Sequence, residues 1–177
     1  MRTIALLLIS LFAVFSLSAR DLQSEIDAYF AECDNVPSAF DDVDRTKGME
    51  IPEDLVMQNI VQLQNCRYSP AAVIVPGWRG LCKFRYDGAT YYIIERTGMM
   101  CDVEWYLFCY ASREGYPLLL QIFEGEIDDN QCFGSLNFRI DDGKVHLFLI
   151  DPSSEFPPLE DVVFEMDTFR MVTEEQK

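Results

Sequence analysis

The stretch Leu81-Cys82-Lys83-Phe84-Arg85-Tyr86-Asp87-Gly88-Ala89-Thr90-Tyr91-Tyr92-Ile93-Ile94-Glu95, residues 81–95, decides the fold class. Two runs rich in aromatic and β-branched residues flank Asp87-Gly88. That dipeptide tolerates positive φ and so closes a two-residue hairpin whose twist matches that of its strands. Downstream the device recurs: residues 133–140 and 144–150 flank Asp141-Asp142-Gly143. Between the hairpins, residues 103–111 and 117–124 read as strands separated by Ser112-Arg113-Glu114-Gly115. Residues 161–166, extending toward Val172, make a last strand, and residues 71–75 a short first one. Strands joined by tight turns specify an antiparallel meander rather than alternating βαβ units.

Two of these strands lack a polar face. Val103, Trp105, Leu107, Cys109 and Ala111 alternate with Glu104, Tyr106, Phe108 and Tyr110, and residues 117–123 are almost continuously apolar. A strand that is apolar on both sides requires cover on both sides. The cover is expected from upstream. Leu22, Ile26, Tyr29, Phe30 and Cys33 recur at helical spacing behind Asp21, which predicts a helix over residues 22–32. Pro52, Glu53 and Asp54 make a helix start, and Leu55, Val56, Ile60 and Leu63 carry it to about residue 65. Residues 34–49, rich in Asp, Asn, Pro, Ser and Gly, read as a long loop and the one mobile stretch. The expected fold is α+β: a curved antiparallel sheet of about six to eight strands with two N-terminal helices on one face, a partly closed barrel being the alternative.

Residues 1–19 stand outside that domain. Arg2, an apolar run over residues 4–15 and the small-residue exit Ser16-Leu17-Ser18-Ala19 have the layout of a cleaved secretory signal peptide, ending at Ser18 or at Ala19. The uncharged stretch is too short for a comfortable membrane span, and acid rather than base follows it. Residues 20–177 are then a single exported, soluble globular domain, periplasmic or secreted. At 177 residues and 49% hydrophobic side chains the chain is long and apolar enough for a core.

A formal net charge of -16 excludes the usual footprints of nucleic-acid and anionic-membrane binding, both of which need clustered Lys and Arg. Six cysteines, Cys33, Cys66, Cys82, Cys101, Cys109 and Cys132, are candidates for up to three disulfides in an oxidising compartment, and none forms a Cys-x-x-Cys pair. One pairing joins Cys33 to Cys66 and Cys101 to Cys132, leaving Cys82 and Cys109 as partners or as buried free thiols.

Chemistry-bearing motifs are scarce. The single histidine, His146, alternates away from Val145, Leu147 and Leu149 and reads as an ordinary sheet residue. No nucleophile elbow, zinc-protease helix, Walker loop or dinucleotide fingerprint occurs, so neither a cofactor nor a metal is expected. Asp42-x-Asp44-x-Thr46 with Glu53 falls on an EF-hand spacing, but Lys47 stands where that loop needs glycine. Asp128, Asp129, Asp141 and Asp142 read as turn residues.

Three function classes follow. The leading one is a non-enzymatic binding domain, of the inhibitor or immunity type, for a basic protein. Asp41, Asp42, Asp44, Glu124, Glu126, Asp128 and Asp129 would steer that partner, and Trp78, in the turn-like Pro76-Gly77-Trp78-Arg79-Gly80, would anchor it. The second is a carboxylate-dependent glycan hydrolase using two of Glu95, Glu104, Glu124 and Glu126 beside Tyr92, Trp105 and Tyr106. The third is an exported cargo-binding domain with an apolar cavity.

Overall fold

The computed structural model describes residues 25–59, 77–97, 102–109, 117–128, 131–149 and 161–172. The leader, the strand expected at 71–75 and the second half of the expected helix 52–65 lie outside them. Among the described residues the chain is mostly β-sheet with few, short helices. Its strands are β1 (Ala31–Glu32), β2 (Met49–Glu50), β3 (Gly77–Tyr86), β4 (Ala89–Thr97), β5 (Asp102–Cys109), β6 (Leu118–Asp128), β7 (Gln131–Asp141), β8 (Lys144–Leu149) and β9 (Asp161–Glu165), and helix α1 is Glu53–Asn59. They form one open nine-stranded sheet in which β3 through β9 pair in chain order. The described ends of the sheet do not meet, so the fold is an open sheet and not a closed barrel.

Local chemistry accounts for the meander. Asp87 and Gly88 both have positive φ (46° and 81°), as do Asp142 and Gly143 (44° and 72°), the conformation a right-twisted two-residue hairpin demands. Tyr86 pairs Ala89 at one turn, and Asp141 pairs Lys144 at the other. The second turn is therefore one residue tighter than the Asp141-Asp142-Gly143 reading.

The end of helix one is the main correction. Residues 25–27 are helical and residues 22–24 lie outside the described residues, but residues 28–29 turn, and Ala31–Glu32 join the β3 edge as a parallel strand in register with Cys82 and Lys83. The apolar spacing of Ile26 and Phe30 suits a helix, yet the same two residues serve equally as the buried points of a turn that lies flat on the sheet. Gly80 makes that approach possible: a Cβ there would sit 2.2 Å from the Tyr29 carbonyl oxygen and 3.1 Å from Phe30 Cδ1. Gly80→Ala is expected to push residues 29–30 off β3 and to cost about 1–3 kcal/mol in urea unfolding, as overpacking does. An unchanged midpoint would show that this approach is dispensable.

Both faces of the central strands are buried, as the alternation required. One face collects Tyr91, Ile93, Val103, Trp105, Leu107, Cys109, Phe123 and Phe138 around Val43. The other collects Tyr92, Ile94 and Phe108 beneath Ile26, Phe30, Ile51 and Val56. The cover on the first face is the segment expected to be mobile. Residues 34–49 form a strap with two short 3-10 turns, Phe40–Asp42 and Arg45–Lys47. Ile140 N–H donates to the Ser38 carbonyl (2.8 Å), and Ala39 bridges Arg139 on β7. The strap returns at β2, which pairs β3 through Met49–Gly80 and Glu50–Arg79.

Candidate functional site

Phe40 anchors the strap, its ring stacked on Trp105 at 4.4 Å and 10° and lying 4.9 Å from Phe123. Beside it lies Glu95, the one buried charged residue among those described, 1% exposed. Its Oε2 accepts from Arg45 Nε (2.7 Å) and Trp105 Nε1 (3.0 Å), and its Oε1 from Arg79 Nη1 (3.2 Å). Arg79 Nη2 also donates to the carbonyls of Arg45 and Gly48, both at 3.1 Å. A buried carboxylate is tolerated only when paired and hydrogen-bonded. Glu95 meets that condition by fastening the strap to β3, β4 and β5. Sequence placed it among catalytic carboxylates; the structure uses it as a clasp. Phe40, Arg45 and Arg79, which the sequence reading did not single out, are the residues that make it so.

The strap leaves two grooves. One, about 410 Å³, is bordered by Phe40, Asp41, Arg45, Thr46 and Arg79. The other, about 480 Å³, runs between the strap and the β1–β3 edge and is lined by Glu32, Cys33, Asp34, Ser38, Asp42, Asp44, Lys47 and Cys82. Asp44 borders both. Among the expected partner-binding residues, Asp41, Asp42 and Asp44 are thus brought together on exposed strap at these grooves. Glu124 is exposed on β6, where Gln121 Nε2 donates to it (3.1 Å). Glu126 and Asp128 belong to the backbone of β6, and Asp129 lies outside the described residues. Trp78 is half-buried on the second face, 6.1 Å from the Tyr106 ring and with Arg96 over it at 5.9 Å. It packs against the second face while staying partly exposed.

Asp42 and Asp44 bind their own turns. Asp42 Oδ2 accepts from Ser38 N–H, Ser38 Oγ and Ala39 N–H, and Asp44 Oδ1 from Thr46 N–H and Thr46 Oγ1. Among the described residues no group of three His, Cys, Asp or Glu side chains is placed to hold a metal ion. The Ser38 hydroxyl, then its N–H, holds the Asp42 carboxyl below the ordinary carboxylate range, and the Thr46 hydroxyl lowers Asp44. A carboxylate depressed in the folded state supports the fold above its ordinary range and loses that support as pH falls through the lowered value. Ser38→Ala is expected to move Asp42 upward toward the ordinary range while Asp44 stays put. Side-chain carboxyl NMR titration reads both, and an unmoved Asp42 would contradict the bonding pattern.

Of the glycosidase candidates, Glu95 is set apart, whereas Glu104 and Glu124 are neighbours on the opposite face. Glu95 pairs Trp105 across β4–β5 and Arg96 pairs Glu104, so Glu95 and Glu104 point to opposite faces. Glu104 is held by Arg96 Nη1 (2.8 Å) and the Tyr106 hydroxyl (2.6 Å) and stands opposite Glu124 in the β5–β6 register. Neither groove is lined by either residue. His146 Nε2 lies 3.3 Å from Asp141 Oδ1 on the sheet surface. No helix among the described residues is long and apolar enough to cross a membrane.

Cys33 and Cys82 carry free thiols, so the expected bond from Cys33 to Cys66 is not formed. Cys82 and Cys109 are buried in the core. Cys66 and Cys101 lie outside the described residues. No protein family, curated protein or solved structure matches the chain.

Proposed function

We propose that this chain is an exported, non-enzymatic binding domain of α+β type that engages a basic protein, in the manner of an inhibitor or immunity protein, through the strap and its grooves. The observation that carries this reading is the charge arrangement at the strap. Residues 32–54 hold eight carboxylates against Arg45 and Lys47, and Arg45 is committed to Glu95. Elsewhere the same economy applies: Arg79 is drawn to Glu95, Lys83 to Asp27 and Glu32, and Arg96 to Glu104. Basic side chains turned inward leave the acidic ones to set the outer field. Such a field raises encounter rates with cationic partners and is screened by salt. The 480 Å³ groove then offers room for a Lys or Arg side chain between Glu32, Asp34, Asp42 and Asp44.

The test is capture of exported proteins of the source and of its competitors or hosts by the purified chain, followed by titration of any stoichiometric basic partner at two salt concentrations. Asp34→Asn with Asp41→Asn, which spares the turn-capping carboxylates, is expected to weaken binding by roughly tenfold at low salt and by less at high salt. Absence of a partner at either salt, or binding indifferent to both salt and the variant, would overturn the proposal.

A further inference from the structure

The floor of the acidic groove carries two thiols. Cys33 follows β1 directly, half-buried, with its N–H donating to the Lys83 carbonyl (2.8 Å). Cys82 lies buried on β3, next to the irregularity between Gly80 and Cys82. The register pairs Ala31 with Cys82, which puts Cys33 one diagonal step from it. Both cysteines line the groove, and the Cys33 side chain lies close enough to perturb the Cys82 thiol. With strands about 4.8 Å apart and a rise of about 3.3 Å per residue, diagonal neighbours stand about 8 Å apart at Cα, beyond the roughly 4.4–6.8 Å that a disulfide spans, so closing a bond asks for a shift on the order of 1–2 Å. That shift falls on the strap side, where Cys33 follows the two-residue edge strand β1, and not on the ten-residue strand β3.

We propose that Cys33 and Cys82 are a redox-closable pair, oxidised through the groove by a positively charged disulfide. Cys33, the more exposed partner, attacks as thiolate one sulfur of the incoming disulfide RS–SR. A mixed Cys33–S–S–R bond forms and one RS⁻ departs. Cys82, losing its proton, attacks the Cys33 sulfur, expels the second RS⁻ and leaves the Cys33–Cys82 bond. Two protein thiols are oxidised, and one small disulfide is reduced to two thiols that take up the two protons. Burial, and then the Cys33 contact, hold the Cys82 thiol above its ordinary range, so it resolves the mixed disulfide and does not initiate. Four carboxylates, Glu32, Asp34, Asp42 and Asp44, against the one lysine Lys47 in the groove lining select the reagent by charge. Closure draws the strap wall toward β3 and reshapes the groove. The thiol pairing stands independently, whereas the preference for a cation rests on the electrostatic reading of this groove given above.

The experiment treats the full, folded, reduced chain with cystamine, which is cationic, and separately with glutathione disulfide, which is anionic, at low and at moderate salt. Alkylation of remaining thiols and peptide mapping follow. The expected product is a Cys33–Cys82 cross-linked peptide, with the chain lighter by two hydrogens. It should form roughly tenfold faster with cystamine than with glutathione disulfide at low salt, a gap that narrows as salt rises. Cys82→Ser is expected to stop at the mixed disulfide on Cys33, and Cys33→Ser to leave Cys82 unmodified. A persistent mixed disulfide in the unmodified chain, a cross-link from Cys33 to another cysteine, or no reaction would overturn the pairing. A Cys33–Cys82 bond formed equally fast by both reagents at low salt would leave the pairing standing and overturn the charge selection, and with it the acidic field on which the basic-partner proposal depends.

Discussion

Glu95→Ala is expected to destabilise the chain by about 3–5 kcal/mol, the cost of removing one partner of a buried ion cluster, measured as a lowered urea midpoint at unchanged slope. The carboxylate is 1% exposed and accepts from two guanidinium groups and an indole. Arg45 and Arg79 retain 29% and 30% side-chain exposure, so water relieves part of the charge left behind and places the effect toward the lower end of that range. The orphaned Trp105 N–H has no such relief and adds the cost of an unsatisfied buried donor. Glu95→Gln keeps an acceptor for that donor and the same shape, and is expected to cost roughly half as much. Replacing the whole cluster with apolar residues, Glu95→Leu together with Arg45→Met and Arg79→Met, is expected to recover much of the loss, because no uncompensated charge then remains. A Glu95→Ala chain as stable as the parent would mean that the clasp does not hold the strap. Hydrogen exchange locates the effect: the Ile140 N–H, held by the strap's Ser38 carbonyl, should lose protection, while the amides bonded between β7 and β8 should keep it.

Trp105→Ala is expected to cost a similar 3–5 kcal/mol, by creating a cavity where the strap meets the sheet. The indole is fully buried, stacked under Phe40 and flanked by Phe123 at 5.5 Å and Phe138 at 6.3 Å. Its loss removes the platform for Phe40 and one donor to Glu95 at once. Trp105→Phe keeps the platform and drops the donor, so it separates the packing from the hydrogen bond and should be the milder change. Because Glu95 and Trp105 touch, their losses should not add. The double variant is expected to fall short of the sum by more than about 0.5 kcal/mol. Strict additivity would show that the stacked ring and the ion cluster hold the strap separately.

How much of this was legible in the sequence depended on the range of the interaction. The two hairpins were readable because Asp87-Gly88 and Asp142-Gly143 impose their backbone geometry locally, whatever surrounds them. The doubly buried character of β5 was readable because alternation reports both faces of a strand. The strap was not. Val36, Phe40 and Val43 are spaced irregularly among polar residues, and two 3-10 turns give no long periodic signal; they become cover only when the sheet offers them a face. Residues 28–32 misled for a related reason, since apolar spacing that fits a helix also fits a turn followed by an edge strand, and pairing with β3 decided between them.

The same division holds for the candidate site. The sequence by itself determined the antiparallel meander, its turns, the apolar demand on both faces and the acidity of residues 41–44, since each depends on residue type and on neighbours a few positions away. Only the tertiary structure decided what those residues do together. Glu95 became a clasp because Arg45 and Arg79 arrive from 50 and 16 positions away. Trp78 packed under Arg96, and Cys33 met Cys82 across the edge of β3. Contacts of that kind are set by register and by which segment crosses which face. No local pattern encodes them, because the energy that selects them is the burial of surfaces that become neighbours only when the sheet is assembled.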